Sequence, residues 1–134
     1  MRIKLFESFN DENKIKSDIE DIFVELCDSG FNLQVKTWSK NDWRLRYKAS
    51  YRGSYITIDI ERNDKQLFEC NILEEYDLML RDYLDDALPG YKIGDYLFYS
   101  NNRGYESEYI REYEIPSGYS PRVVINIIGE DENS

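Results

Sequence analysis

The sequence contains no histidine. That removes the commonest general base, the commonest metal ligand and every Ser-His or Cys-His nucleophile pair. Any catalysis would fall to carboxylates, Lys, Tyr or Cys. Asp59 and Glu61 are best spaced for it: two apart on an extended segment, they share one face and could hold a magnesium ion. A nuclease would add a lysine in an E-x-K arrangement, whereas Arg62 and Asn63 follow Glu61. Their expected role is therefore to pair with Arg46 and Lys48 across a strand ladder. Gly90-Tyr91-Lys92-Ile93-Gly94 has neither Walker nor dinucleotide spacing. The chain is expected not to be an enzyme and to need no cofactor and no metal.

Arg44, Arg46, Lys48 and Arg52 form a basic stripe, but the neighbouring aromatics fall on the other strand face, where they cannot stack beside the same base. Direct nucleic-acid binding is not expected. The acids are more suggestive. Glu74, Glu75, Asp77, Asp82, Asp85 and Asp86 lie against the single Arg81, and Glu106, Glu108, Glu112 and Glu114 follow later. Each alone reads as a solvated side chain; summed, they could imitate the phosphate rows of DNA and occupy the basic groove of a nuclease. Tyr105, Tyr109 and Tyr113 share one face if extended. Such tyrosines serve as interface anchors or as core residues with hydroxyls at the rim, and the core role ranks first. The candidate partner-binding residues are thus Glu74, Glu75, Asp77, Asp82, Asp85, Asp86, Tyr105, Tyr109 and Tyr113. Cys27 and Cys70 lack C-x-x-C spacing; a disulfide between them stays open, and free thiols suit a reducing cytoplasm better.

Periodicity supplies the elements that would position these groups. Ile15, Ile19, Ile22, Phe23 and Leu26 recur at helical spacing and predict a helix from Asn13 to Ser29, stopped by Gly30. Ser17, Asp18, Glu20, Asp21 and Glu25 lie mostly off its apolar stripe. Phe31 to Trp38 reads as a strand. Trp43 to Tyr51 and Tyr55 to Arg62 alternate cleanly, and a Gly53-Ser54 turn would pair Tyr51 with Ile56, Ala49 with Ile58 and Tyr47 with Ile60. The same register sets Lys48 opposite Asp59 and Arg46 opposite Glu61. Leu67 to Cys70 could be a short extended lead-in. Ile72, Leu73, Tyr76, Met79, Leu80, Tyr83, Leu84 and Leu88 predict a second helix over Asn71 to Leu88, ended by Pro89-Gly90. Tyr96 to Ser100 reads as a strand. Tyr105 to Ile115 suits either state and is assigned to strand. Arg122 to Ile128 is a β-branched run that reads as a well-buried strand.

At 134 residues the chain is the size of one domain, large enough for a core without disulfides or a structural metal. The expected unit is residues 1–128, with 129–134 as a flexible acidic tail. The architecture predicted is α+β: two layers, with two helices on one face of a mainly antiparallel sheet of five to six strands. Net charge is −10, which opposes binding to phosphate backbones and suits a basic protein partner. No apolar run approaches a membrane span, and a cytoplasmic location is expected.

The opening Met1-Arg2-Ile3-Lys4-Leu5-Phe6-Glu7-Ser8-Phe9 resembles the start of short accessory proteins of large tailed bacteriophages. In some of those phages a similar leader directs proteins into the prohead and is cleaved after a hydrophobic-x-Glu triplet, which Leu5-Phe6-Glu7 would match. The resemblance implies a virus-encoded accessory protein and carries over no catalytic residue. On the residues alone, Leu5, Phe6 and Phe9 are core side chains. The leading expectation is a small acidic protein-binding module, in its sharper form a phage inhibitor of a host defence or nucleic-acid enzyme. The alternatives are a packaged or structural virion component with homo-oligomer contacts, and a carboxylate-dependent metal enzyme at Asp59 and Glu61.

Overall fold

The structure, a computed structural model, describes residues 9–38, 55–100 and 109–129. In chain order the elements are α1 (Phe9–Ile22), α2 (Val24–Asp28), β1 (Phe31–Trp38), β2 (Tyr55–Arg62), β3 (Phe68–Glu69), a 3₁₀ turn (Cys70–Leu73), α3 (Glu74–Ala87), β4 (Tyr91–Tyr99), β5 (Tyr109–Glu112), β6 (Tyr119–Ser120) and β7 (Arg122–Gly129). Five strands form one antiparallel sheet in the order β1-β2-β7-β4-β5, and β3 pairs with β6. The fold is α+β, as the periodicity predicts.

The first helix starts earlier than its apolar stripe suggests and is interrupted at Phe23. Hydrogen bonding runs through the interruption: the Phe23 N–H donates to Ile19 at 3.3 Å and the Cys27 N–H to Phe23 at 3.0 Å. The local distortion seats Phe23, fully buried, against the Tyr76 ring at 5.3 Å. Gly30, at φ 98°, ends the helix as expected, in a conformation that side chains disfavour.

Ile15, Ile19, Phe23 and Leu26 join Leu73, Leu80, Leu84 and Leu88 in one core with Ile56, Ile58, Ile60, Tyr96, Val123, Ile125 and Ile127. Both helical units thus cover the same sheet face, α1–α2 over β1 and α3 over β4. The strand β7 is central, and its residues Val123 to Ile127 are buried on both faces.

Two expectations need correction. Ile58 lies between Val35 of β1 and Ile125 of β7, and Ile60 between Leu33 and Val123. Both edges of β2 are therefore taken, and the register with Ala49 opposite Ile58 is not the one β2 makes. Residues 43–51, and with them Arg44, Arg46 and Lys48, lie outside the described residues. The second correction is β4, which begins at Tyr91 rather than Tyr96. A bulge between Ile93 and Asp95 puts Tyr91 and Ile93 on the helix-facing side before it, and Tyr96 and Phe98 on that same side after it. The extra residue is Gly94, where a Cβ would sit 2.4 Å from Ile128 Cδ1. Residues 1–8, 101–108 and 130–134 also lie outside the described residues, which includes the Leu5-Phe6-Glu7 triplet, Tyr105 and most of the acidic tail. Gly129, assigned to that tail, closes β7.

Candidate functional site

The acids of α3 divide into two groups. Glu74, Glu75, Asp82, Asp85 and Asp86 are exposed, while Asp77 is 9% exposed. Asp77 does not belong to an outward binding surface. It accepts a hydrogen bond from the hydroxyl of Tyr96, a fully buried side chain, and another from Arg81 Nε at 2.9 Å. Arg81 also reaches the Tyr96 oxygen at 3.5 Å. Burial, then the Asp77 carboxylate, pushes the Tyr96 phenol above its ordinary range, so this is a closed internal network joining α3 to β4. The sequence did carry the signal. Asp77 lies four residues after Leu73 and three before Leu80, on the apolar stripe.

The α1–α2 unit adds a second row of exposed acids, Glu20, Asp21, Glu25 and Asp28. The two helical units lie side by side. Tyr83 donates its hydroxyl to Asp18 at 2.9 Å, and Phe23 stacks on Tyr76 across the seam. Burial raises the Tyr76 pKa, and the nearby charges of Glu25 and Glu75 add to it, so carboxylates from both units converge there. Periodicity shows these acids on α1–α2 as off-stripe residues; only packing brings Glu25 beside Glu75 at the Tyr76 ring.

The charge distribution is uneven. The segments forming α1, α2 and α3 contain thirteen acidic and three basic residues. That balance of −10 equals the charge of the whole chain, and the remaining segments carry fourteen of each sign. None of the last turns of α1, α2 and α3 contains a base. Asp28 closes α2, and Asp85 and Asp86 sit at the negative end of the α3 dipole. Asp82 adds like-charge pairs with both at i,i+3 and i,i+4 spacing. Leu78, exposed between Glu74 and Asp82 one helical turn either way, gives the acidic row an apolar point.

Asp59 and Glu61 share a strand face, and each has a cation beside it. Asp59 takes both Arg122 Nε at 2.9 Å and Nη2 at 2.6 Å, with the guanidinium 4.5 Å from the Tyr99 ring centre. Glu61 is ion-paired with Lys65. Both carboxylates are thus engaged by cations other than the expected Lys48 and Arg46, which lie outside the described residues, and a metal ion between them would have to displace Arg122 and Lys65. Among the described residues no group of three His, Cys, Asp or Glu side chains could hold a metal. Further along this face, buried Asp95 accepts from Asn126 and faces Arg111 Nε at 3.2 Å.

The tyrosines separate as well. Tyr91 and Tyr96 are core residues, whereas Tyr109 is 52% and Tyr113 72% exposed. The core role predicted for Tyr109 and Tyr113 is overturned: Tyr109 lies opposite Tyr99, on the sheet face turned away from the helices, and Tyr113 follows the end of β5. Tyr109 packs beside Tyr99, with ring centres 5.4 Å apart. Cys27 and Cys70 are both free. No described helix is long and apolar enough to cross a membrane.

No family model, curated protein or solved structure matches the chain. What the chain does has to be argued from the chemistry of its own surface.

Proposed function

We propose that this protein binds a basic surface on another protein through the acidic layer of α1, α2 and α3. One observation carries the reading: the helical segments hold the chain's entire net charge while the remainder is balanced. Stability alone would not favour this placement, since acids in the last turn of a helix cost about 0.3–1 kcal/mol each. Nine exposed carboxylates span helices roughly 20 Å long. That is about one charge per 2 Å, close to the ~1.7 Å of duplex DNA. This supports the sharper form, in which a phage accessory protein occupies the DNA groove of a host defence or nucleic-acid enzyme.

The test is capture from a bacterial lysate with the native chain and with the combined variant Glu74→Gln, Glu75→Gln, Asp82→Asn, Asp85→Asn. The captured protein should dissociate as salt rises from about 0.1 to about 0.5 M, where the Debye length falls well below ~10 Å. The variant should hold it about tenfold or more weakly, in line with the worth of desolvated charge pairs, and duplex DNA should compete. Leu78→Ala should also weaken binding while leaving the melting temperature unchanged. Equal retention by the neutralised variant at every salt concentration removes the acidic layer from the mechanism.

A second reading, a virion component with self-contacts, is favoured by the exposure of Tyr109, Ile110 and Tyr113. Sedimentation of the purified chain and the mass of its N-terminus in virions, cut or intact before Ser8, separate it from the first.

A further inference from the structure

The strand β5 ends the five-stranded sheet, and among the described residues no strand pairs with its second edge. All four of its residues are exposed. On the helix-facing side Ile110 lies opposite Phe98 and Glu112 opposite Tyr96. The chain then turns through residues 113–117 and walls off a groove of about 330 Å³. Phe98, Ile110, Ile115 and Pro116 make its apolar lining, and Glu112 and Glu114 supply its charge. Arg111, the one base on β5, points to the other sheet face and pairs with Asp95, so it does not neutralise these glutamates.

We propose that this edge and groove accept an extended segment of a partner protein as a sixth strand, one whose groove-side residues alternate basic and apolar. An open strand edge offers backbone hydrogen bonds regardless of sequence, and pockets for alternate side chains supply selectivity. Here the pocket chemistry is stated by two positions: an aliphatic side chain sits opposite Ile110 and a lysine or arginine opposite Glu112. A second copy of this chain is the poorer occupant, because it would set its own Glu112 and Glu114 against the same edge and carries a net charge of −10 in all. This site is separate from the acidic layer of the helices and can stand or fall without it.

The experiment is fluorescence anisotropy with a labelled synthetic peptide carrying lysine and isoleucine alternately on one face and threonine on the other. The native chain binds it. N-methylation of the peptide amides that face β5 weakens binding about tenfold or more, since each removes a donor and leaves an acceptor unpaired. Glu112→Lys with Glu114→Lys weakens binding as well, and a peptide with glutamate in place of lysine restores it to that variant. The variant neutralised at Glu74, Glu75, Asp82 and Asp85 still binds the lysine peptide and still loses affinity on N-methylation. The proposal is overturned by any of four results: no binding, equal binding of the N-methylated peptide, loss only in the α3 variant, or a stable dimer that the β5 variant dissociates.

Discussion

Asp77 and Asp85 carry the same charge on the same helix, and their contacts give them opposite effects on stability. Asp77 satisfies a hydroxyl that has no access to water, that of Tyr96. Asp77→Ala should cost about 1–3 kcal/mol, the penalty of a buried donor left without its acceptor. Asp85 and Asp86 face solvent at the negative end of a helix dipole. Replacing both with Asn should raise stability by roughly 0.3–1 kcal/mol per site. Urea melts of the two variants check both signs, and a doubly neutralised chain that is more stable yet binds its partner less would separate function from folding. Gly129 makes the tightest demand on the backbone. A Cβ there would lie 2.4 Å from the ring of buried Tyr91, and a ring cannot bend away as a flexible side chain can. Gly129→Ala should cost about 1–3 kcal/mol by overpacking, also readable as a shifted urea midpoint.

At the scale of elements, legibility followed whether the deciding neighbour was local. The strand β7 was readable because Val123 to Ile128 is β-branched or apolar almost throughout, which only a strand buried on both faces requires. The helix α3 was readable from Leu73, Leu80, Leu84 and Leu88. Asp77 was misplaced on it because its charge outweighed its position on the stripe. The first half of β4 was hidden by the Gly94 bulge, which shifts Tyr91 and Ile93 out of phase with Tyr96 and Phe98. The partner of β2 was misjudged for a different reason. Lys48 and Arg46 matched Asp59 and Glu61 in charge, but charge pairs on a strand face are worth only ~0.2–1 kcal/mol. Pairing with Val123, Ile125 and Ile127 buries a continuous apolar face, and that pairing lies more than sixty residues away in sequence. Of the candidate site, the α3 acids were legible from composition. The approach of Glu25 to Glu75 needed the lateral packing of two helices, which no single-segment pattern encodes.

At the scale of the whole molecule, the helical segments carry a net charge of −10 and the rest of the sequence is balanced. The pH dependence of stability should be steepest on the alkaline side. Burial pushes the Cys70 thiol from 9.0 up to about 11, and burial with an acceptor carboxylate raises Tyr83 and Tyr96 above 10.0. Each of these groups keeps its proton longer when folded than when unfolded. Their contribution is therefore complete below pH 9 and is lost as pH rises, through Cys70 first and the tyrosines after it. Thermal melts by circular dichroism should show the midpoint falling from about pH 9 upward, with a shallower fall above pH 10 for Tyr83→Phe.

The strand in the middle of the sheet is made after all its neighbours. A ribosome delivers β1, β2, β4 and β5 before Arg122–Gly129 emerges to join them. Until then Ile56, Ile58 and Ile60 on one side and Tyr96 and Phe98 on the other lack the partner that joins the two halves. Nascent chains must wait with sticky half-sheets open, many of them along one messenger. Mutual repulsion from a surplus of carboxylates made largely before that strand would keep such waiting chains apart.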